Sequence, residues 1–179
     1  MIYLGADHRG FELKEKIKKW LAEWGYQHED MGAFEYNKED DYTDFISKVA
    51  QKVSEDPENN KGIILGMSGQ GEAIVANKFK GIRAVVFYGP PFNLGAILKI
   101  PSFVYKITVP YFSDMNWGAI YKKIITLSRE HNDANILSLG ASFVYEYSAK
   151  KAIKLWLETK FSGEERHVRR VEKIKSLEK

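Results

Sequence analysis

Three polar clusters and one basic pair hold most of the chemistry this sequence can offer. The run Gly66-Met67-Ser68-Gly69-Gln70-Gly71-Glu72 places three glycines and a serine directly before a carboxylate. Such a loop turns tightly and aims backbone N–H groups inward at the start of a helix, which favours a bound anion. No lysine follows as in a nucleoside-triphosphate loop, and the glycine spacing differs from the dinucleotide fingerprint. Glu72 then has two readings. It caps the helix through the N-terminal dipole, or it moves a proton on a bound carbonyl compound while nearby amides and Ser68 hold the developing oxyanion. Asp7-His8 with Gly10 forms the second cluster and His131-Asn132 the third. Polar pairs after strands often only satisfy loop amides, and single histidines are often structural, so neither is assigned by itself. Arg166 and Arg170 stand four apart, share a helix face and can grip a phosphate jointly, with simple surface charge as the alternative.

The elements that must position these groups are visible as pattern. Short apolar runs at Ile2 to Gly5, Gly62 to Gly66, Ile82 to Phe87 and Asn135 to Gly140 are mostly bounded by glycine and do not alternate, as buried parallel strands do. Tyr26 to Asp30 is a further strand candidate with little aliphatic content. Helical periodicity fills the intervals. It runs from Phe11 to Trp24 with Gly25 as terminator, from Phe45 to Val53, from Glu72 to Phe79, from Trp117 to Arg129 and from Tyr145 to Thr159. The alternation predicts an α/β fold with an open, mostly parallel sheet and helices on both faces. Ligands in such sheets gather beyond the carboxyl ends of the strands, where the Asp7 and Gly66 loops fall.

At 179 residues the chain suits a single domain. Its composition, 44% apolar and 28% charged, excludes disorder, and 27 basic against 24 acidic side chains give too small an excess for a nucleic-acid surface. Zero cysteines exclude disulfides, a thiolate nucleophile and a thiolate zinc site. Neither a membrane span nor a secretory signal is expected, which makes the cytoplasm the simplest location. One segment breaks the rhythm. Four of the five prolines lie between Pro90 and Pro110, among Phe92, Phe103, Tyr105, Tyr111 and Phe112, and mark an insertion at about 89–118 that either covers a substrate or is a surface excursion. The tail from Glu164 to Lys179 reads as a charged terminal helix.

The ordered set of Asp7-His8-x-Gly10 with Phe11 to Lys14, Asp41-Tyr42, Gly66 to Glu72, Ala76-Asn77-Lys78, Gly81-Ile82-Arg83, His131 to Asn135 and Arg166-His167-x-x-Arg170 resembles the ribose-5-phosphate isomerase B and galactose-6-phosphate isomerase family. The resemblance runs from first strand to last helix and leaves out the insertion. It implies a Rossmann-like fold, a homodimer or dimer of dimers with shared active sites, a C-terminal helix reaching the partner subunit, a phosphorylated sugar as substrate, and no metal or organic cofactor. The implied reaction interconverts an aldose and a ketose phosphate through a cis-enediolate, with ribose 5-phosphate to ribulose 5-phosphate expected first. A hexose 6-phosphate or another aldose, or a sugar-phosphate binding protein without turnover, are the alternatives.

By the same resemblance Glu72 is the base of a branch that lacks the usual cysteine, and Gly66 stands where that cysteine would be. Ser68, Gly69 and Gly71 stabilise the enediolate. His131, helped by Asp7, assists ring opening. His8, Arg166 and Arg170 hold the phosphate, and Asn132 contacts the sugar hydroxyls or the enediolate. Two departures stand out. Leu139-Gly140-Ala141-Ser142 has a serine where many members have arginine, and Arg83 and His131 are unusually far apart, with Lys99 and Lys106 in the insertion as candidate replacements for the lost charge.

Overall fold

The computed structural model describes residues 1–89 and 117–178. The insertion at about 89–118 falls almost wholly outside these residues, as do Lys99 and Lys106. Five strands, β1 (Ile2–Ala6), β2 (His28–Asp30), β3 (Lys61–Gly66), β4 (Ala84–Phe87) and β5 (Ile136–Gly140), form one all-parallel sheet in the order β2-β1-β3-β5-β4. Six helices are described: α1 (Phe11–Glu23), α2 (Tyr42–Glu55), α3 (Gln70–Ala76), α4 (Trp117–Glu130), α5 (Glu146–Glu158) and α6 (Glu165–Lys175). This is the open parallel α/β sheet that the alternating pattern predicts, and the Rossmann-like architecture that the resemblance implies.

Both sheet faces are covered, so the central strands are apolar on both sides. Ile2, Leu4, Ala6, Ile63, Leu65, Leu137 and Leu139 pack with Ile17, Leu21, Ile125, Ile153 and Trp156 of α1, α4 and α5. Tyr3, Ile64 and Ile136 point the other way, onto Ile46, Val49 and Val53 of α2 and Ala76 of α3. Burying a Leu- or Ile-sized side chain contributes about 1.5–3 kcal/mol, so these two layers dominate the stability. Edge strand β2 is polar because only one side of it is paired, and its three residues align with Ile2, Tyr3 and Leu4.

Two of the boundaries that differ from the periodicity have a plain local cause. Strand β4 starts at Ala84 because the Ile82 and Arg83 backbone is used by turns, with Ile82 bonded to Phe79 and Arg83 to the side chain of Asn135. Helix α3 starts at Gln70 because Gly69 is left-handed, at φ +74°, and ends the turn there. Helix α1 ends as expected, with Gly25 left-handed just past its last residues. Among the described residues no helix is long and apolar enough to cross a membrane.

Candidate active site

At the carboxyl edge of the sheet, the β1 and β3 loops meet. Asp7 follows β1 and is buried; its Oδ1 accepts from the amides of Arg9 (2.9 Å) and Gly10 (3.1 Å), fixing the turn into α1. A side chain at position 10 would strike the Leu65 backbone and Cβ, so glycine lets the start of α1 lie against β3. After β3, Gly69 is required twice over. Its φ suits glycine, and a Cβ there would come within 3.0 Å of the Gly140 amide and Leu139 carbonyl carbon. Ser138 clasps the same turn, its Oγ donating to the Gly69 carbonyl at 2.6 Å.

Glu72 is only 4% exposed, although it sits in the first turn of α3. Its carboxyl accepts from its own amide and folds back over Gly66, where a methyl on that glycine would fall on Oε1. The glycine at 66 therefore opens the space that the carboxylate fills. Burial raises the Glu72 pKa above the ordinary carboxylate value, its own amide works against this, and the Asp7 charge adds to the rise. Asp7 is likewise raised, first by burial, against the Gly10 and Arg9 amides. A carboxyl displaced upward in this way is a stronger base than an ordinary carboxylate. Half-buried Ser68 and the Tyr42 hydroxyl border the same loop; Ser68 Oγ accepts from the Gln70 amide, and the Tyr42 hydroxyl lies against Gly71.

His8 reaches this edge in the grip of Asp40. One Asp40 oxygen takes both the His8 amide (3.1 Å) and its Nδ1 (2.6 Å). Asp40 lies 32 positions away on the loop before α2, and nothing in its local sequence marks it, so sequence reasoning missed it. Asp7, His8 and Asp40 bring potential ligand atoms within 4.8 Å of one another. The hydrogen bonds just named use one oxygen of each carboxylate and a nitrogen of the imidazole, and leave buried Asp40 Oδ2 without a hydrogen-bond partner among the described residues.

The remaining predicted residues collect at the opposite, amino edge. His131 and Asn132 precede β5, whose register against β3 runs from Ile136 beside Gly62 to Gly140 beside Gly66. At about 3.3 Å per residue, that is roughly 13 Å of strand between the His131 turn and the Glu72 carboxyl. His131 stacks on His167 of α6, ring centroids 4.0 Å apart. His167 is buried, its Nδ1 paired with Ser162 Oγ at 2.8 Å and its Nε2 without a partner. Desolvation, then the facing His131, lower its pKa. Arg166 and Arg170 are exposed on the same helix, Arg166 paired with Glu164 at 2.9 Å. One chain thus assembles Asp7, His8, Ser68, Gly69, Gly71 and Glu72 at one edge and His131, Asn132, Arg166 and Arg170 at the other. It does not bring the two groups together. Exposed Ser142 follows β5 at the carboxyl edge.

The sequence model of the Ribose/Galactose Isomerase family matches residues 2–91 and 119–174. The chain belongs to this family. The match passes over residues 92–118, within the proline-rich segment. Family relatives include ribose-5-phosphate isomerase B of Mycolicibacterium paratuberculosis, 32% identical with 99% of this chain and 91% of the relative covered. The Escherichia coli ribose-5-phosphate isomerase B is 34% identical, with 99% and 95% covered. Among solved structures, the Mycoplasma genitalium enzyme with bound ribulose 5-phosphate superposes at a TM-score of 0.79, with 28% identity and 99% and 95% coverage. The Clostridium thermocellum enzyme gives a TM-score of 0.76 with 34% identity, covering 99% of this chain and 96% of its own.

Proposed function

We propose that this family member is an aldose–ketose isomerase of phosphorylated sugars, with ribose 5-phosphate and ribulose 5-phosphate as its leading pair. The carrying observation is the buried Glu72 carboxyl folded over Gly66 beside the Gly69 turn. In this reading His131 assists ring opening: the C1–O4 bond breaks, the C1 hydroxyl loses its proton and O4 gains one. Glu72 then removes the proton on C2 and returns it to C1, while a proton passes from O2 to O1. No net oxidation occurs. Ser68 and the amides of Gly69 and Gly71 hold the enediolate, Asp7 supports ring opening, and Asn132 touches the sugar. His8, Arg166 and Arg170 take the phosphate through charge-assisted bonds.

The separation of the two edges supports a shared site, in which the amino edge of one subunit faces the carboxyl edge of another. Helix α6 buries only His167 and Val171 against its own chain and leaves Val168 and Ile174 exposed, with exposed Leu177 just past its end. An 11-residue helix held so lightly gains most from packing on a partner. A homodimer, alone or paired into a dimer of dimers, satisfies both observations.

The test is incubation of the protein in deuterated water with five- and six-carbon aldose and ketose phosphates. Solvent deuterium at C1 or C2 together with the isomeric product is expected for the pentose phosphates. Product without deuterium would point to hydride transfer. Binding without product would leave a sugar-phosphate receptor in place of an enzyme.

A further inference from the structure

We infer that Arg83 is a positioning residue for ring opening, holding the turn that presents His131 and Asn132 to the substrate. The inference rests on the proposed reading of His131. Arg83 enters β4 at the amino edge of the sheet and is almost fully buried. Its Nε donates to the carbonyls of Asn132 (3.2 Å) and Asp133 (2.9 Å), Nη2 pairs with Asp133 Oδ2 at 2.8 Å, and Nη1 donates to the Gly81 carbonyl at 3.2 Å. Its amide donates to Asn135 Oδ1 at 2.8 Å. One side chain and its amide thus join the turn before β4 to the turn before β5.

The turn needs such a hold. Asp133 lies at φ +46°, a left-handed conformation that a non-glycine residue keeps only where its surroundings enforce it. Arg129 grips the other oxygen of the same carboxylate at 2.9 Å and the Ala134 carbonyl. The two guanidiniums divide the work. Arg129 secures Asp133 and Ala134 from α4, whereas among the described residues Arg83 alone donates to the Asn132 carbonyl. Asp133 therefore keeps one ion pair when Arg83 is removed, so the fold has support. What is lost is the direct restraint on the peptide that follows His131 and Asn132. A misplacement of about 1 Å at a reacting group can cost about a hundredfold in rate.

The chemistry supplies a readout that separates positioning from general stability. Ribose 5-phosphate closes into a furanose and must be opened. Ribulose 5-phosphate cannot close in that way, because its 5-hydroxyl is esterified, so deuterium exchange at its C1 needs the base but no ring opening. For Arg83→Met the expected result is a fall of at least about tenfold in kcat for ribose 5-phosphate conversion, and a several-fold smaller fall in C1 exchange of ribulose 5-phosphate, which still meets Asn132 but needs no ring opening. Arg83→Lys, which keeps a charge near Asp133 but cannot reproduce the planar fork, is expected to fold and to show the same split more weakly; it carries the test if Arg83→Met does not fold. Equal losses in both assays, or no loss in either, would overturn the proposal. His131→Asn is the reference. If it lowers both assays together, the ring-opening role of His131 has failed, whatever Arg83 does.

Discussion

At Glu72 the burial that supports the proposed base also costs stability. The pKa of this carboxyl is raised, so the folded chain holds the proton more tightly than the unfolded chain does. Below the ordinary value of 4.5 both states are protonated and no cost is felt; as pH rises through the folded value, the ionised carboxylate must sit desolvated and stability is lost. Glu72→Gln removes that titration. The melting-temperature difference between the glutamine variant and the parent should therefore move in favour of the variant from pH 4 toward pH 7, and a difference that stays flat would argue against a buried, titrating Glu72. In turnover the sign reverses. A positioned base contributes about 10²- to 10⁴-fold, so Glu72→Gln should lose that much in kcat with little change in KM, as steady-state kinetics on ribose 5-phosphate would show. Sequence alone pointed to Glu72 but left capping open, since both roles place a carboxylate in a first helical turn. In the fold the side chain lies back over Gly66 while still accepting from its own first-turn amide.

Among the elements, the turn from β3 into α3 carries the tightest requirement. Gly69→Ala places a Cβ 3.0 Å from the Gly140 amide and Ser138 Oγ in a backbone conformation that disfavours it. A loss of about 1–3 kcal/mol in chemical denaturation is expected, with activity falling further because the amides of Gly69 and Gly71 shift together. Gly25→Ala is the control. Its φ is also positive but nothing lies within 4 Å, so only the backbone strain should register. The buried strands were readable from glycine-bounded aliphatic runs because both of their faces are covered. The polar edge strand β2 gave a weak signal for the opposite reason. Asp40 behind His8, and the Arg83 and Arg129 hold on Asp133, were not readable as a network, since Asp40 and Arg83 meet their partners 32 and 50 positions away and no periodicity reports such pairings.

For the whole molecule the decisive feature is the division of site groups between opposite edges of one rigid sheet. If each site is built from two subunits, a Glu72→Gln chain and a His131→Asn chain are each defective, yet mixed dimers regain one intact site. Random reassembly of an equal mixture should restore about one quarter of parental turnover. No recovery after verified subunit exchange would mean that the site is not shared in this way. The sequence supplied the candidate residues; that they lie at two ends of the fold follows from the register of β3 and β5, which is a property of the assembled sheet.

The glycine at position 66 has one more effect, which concerns reactivity with small electrophiles. The space above its α-carbon holds a carboxyl group, and the chain contains no sulfhydryl anywhere. Iodoacetamide and aromatic disulfides, which disable isomerases that depend on a thiol, find no thiol here. Preincubation with either at neutral pH should leave turnover unchanged, so this chain would keep working under oxidative conditions that silence a cysteine-dependent counterpart.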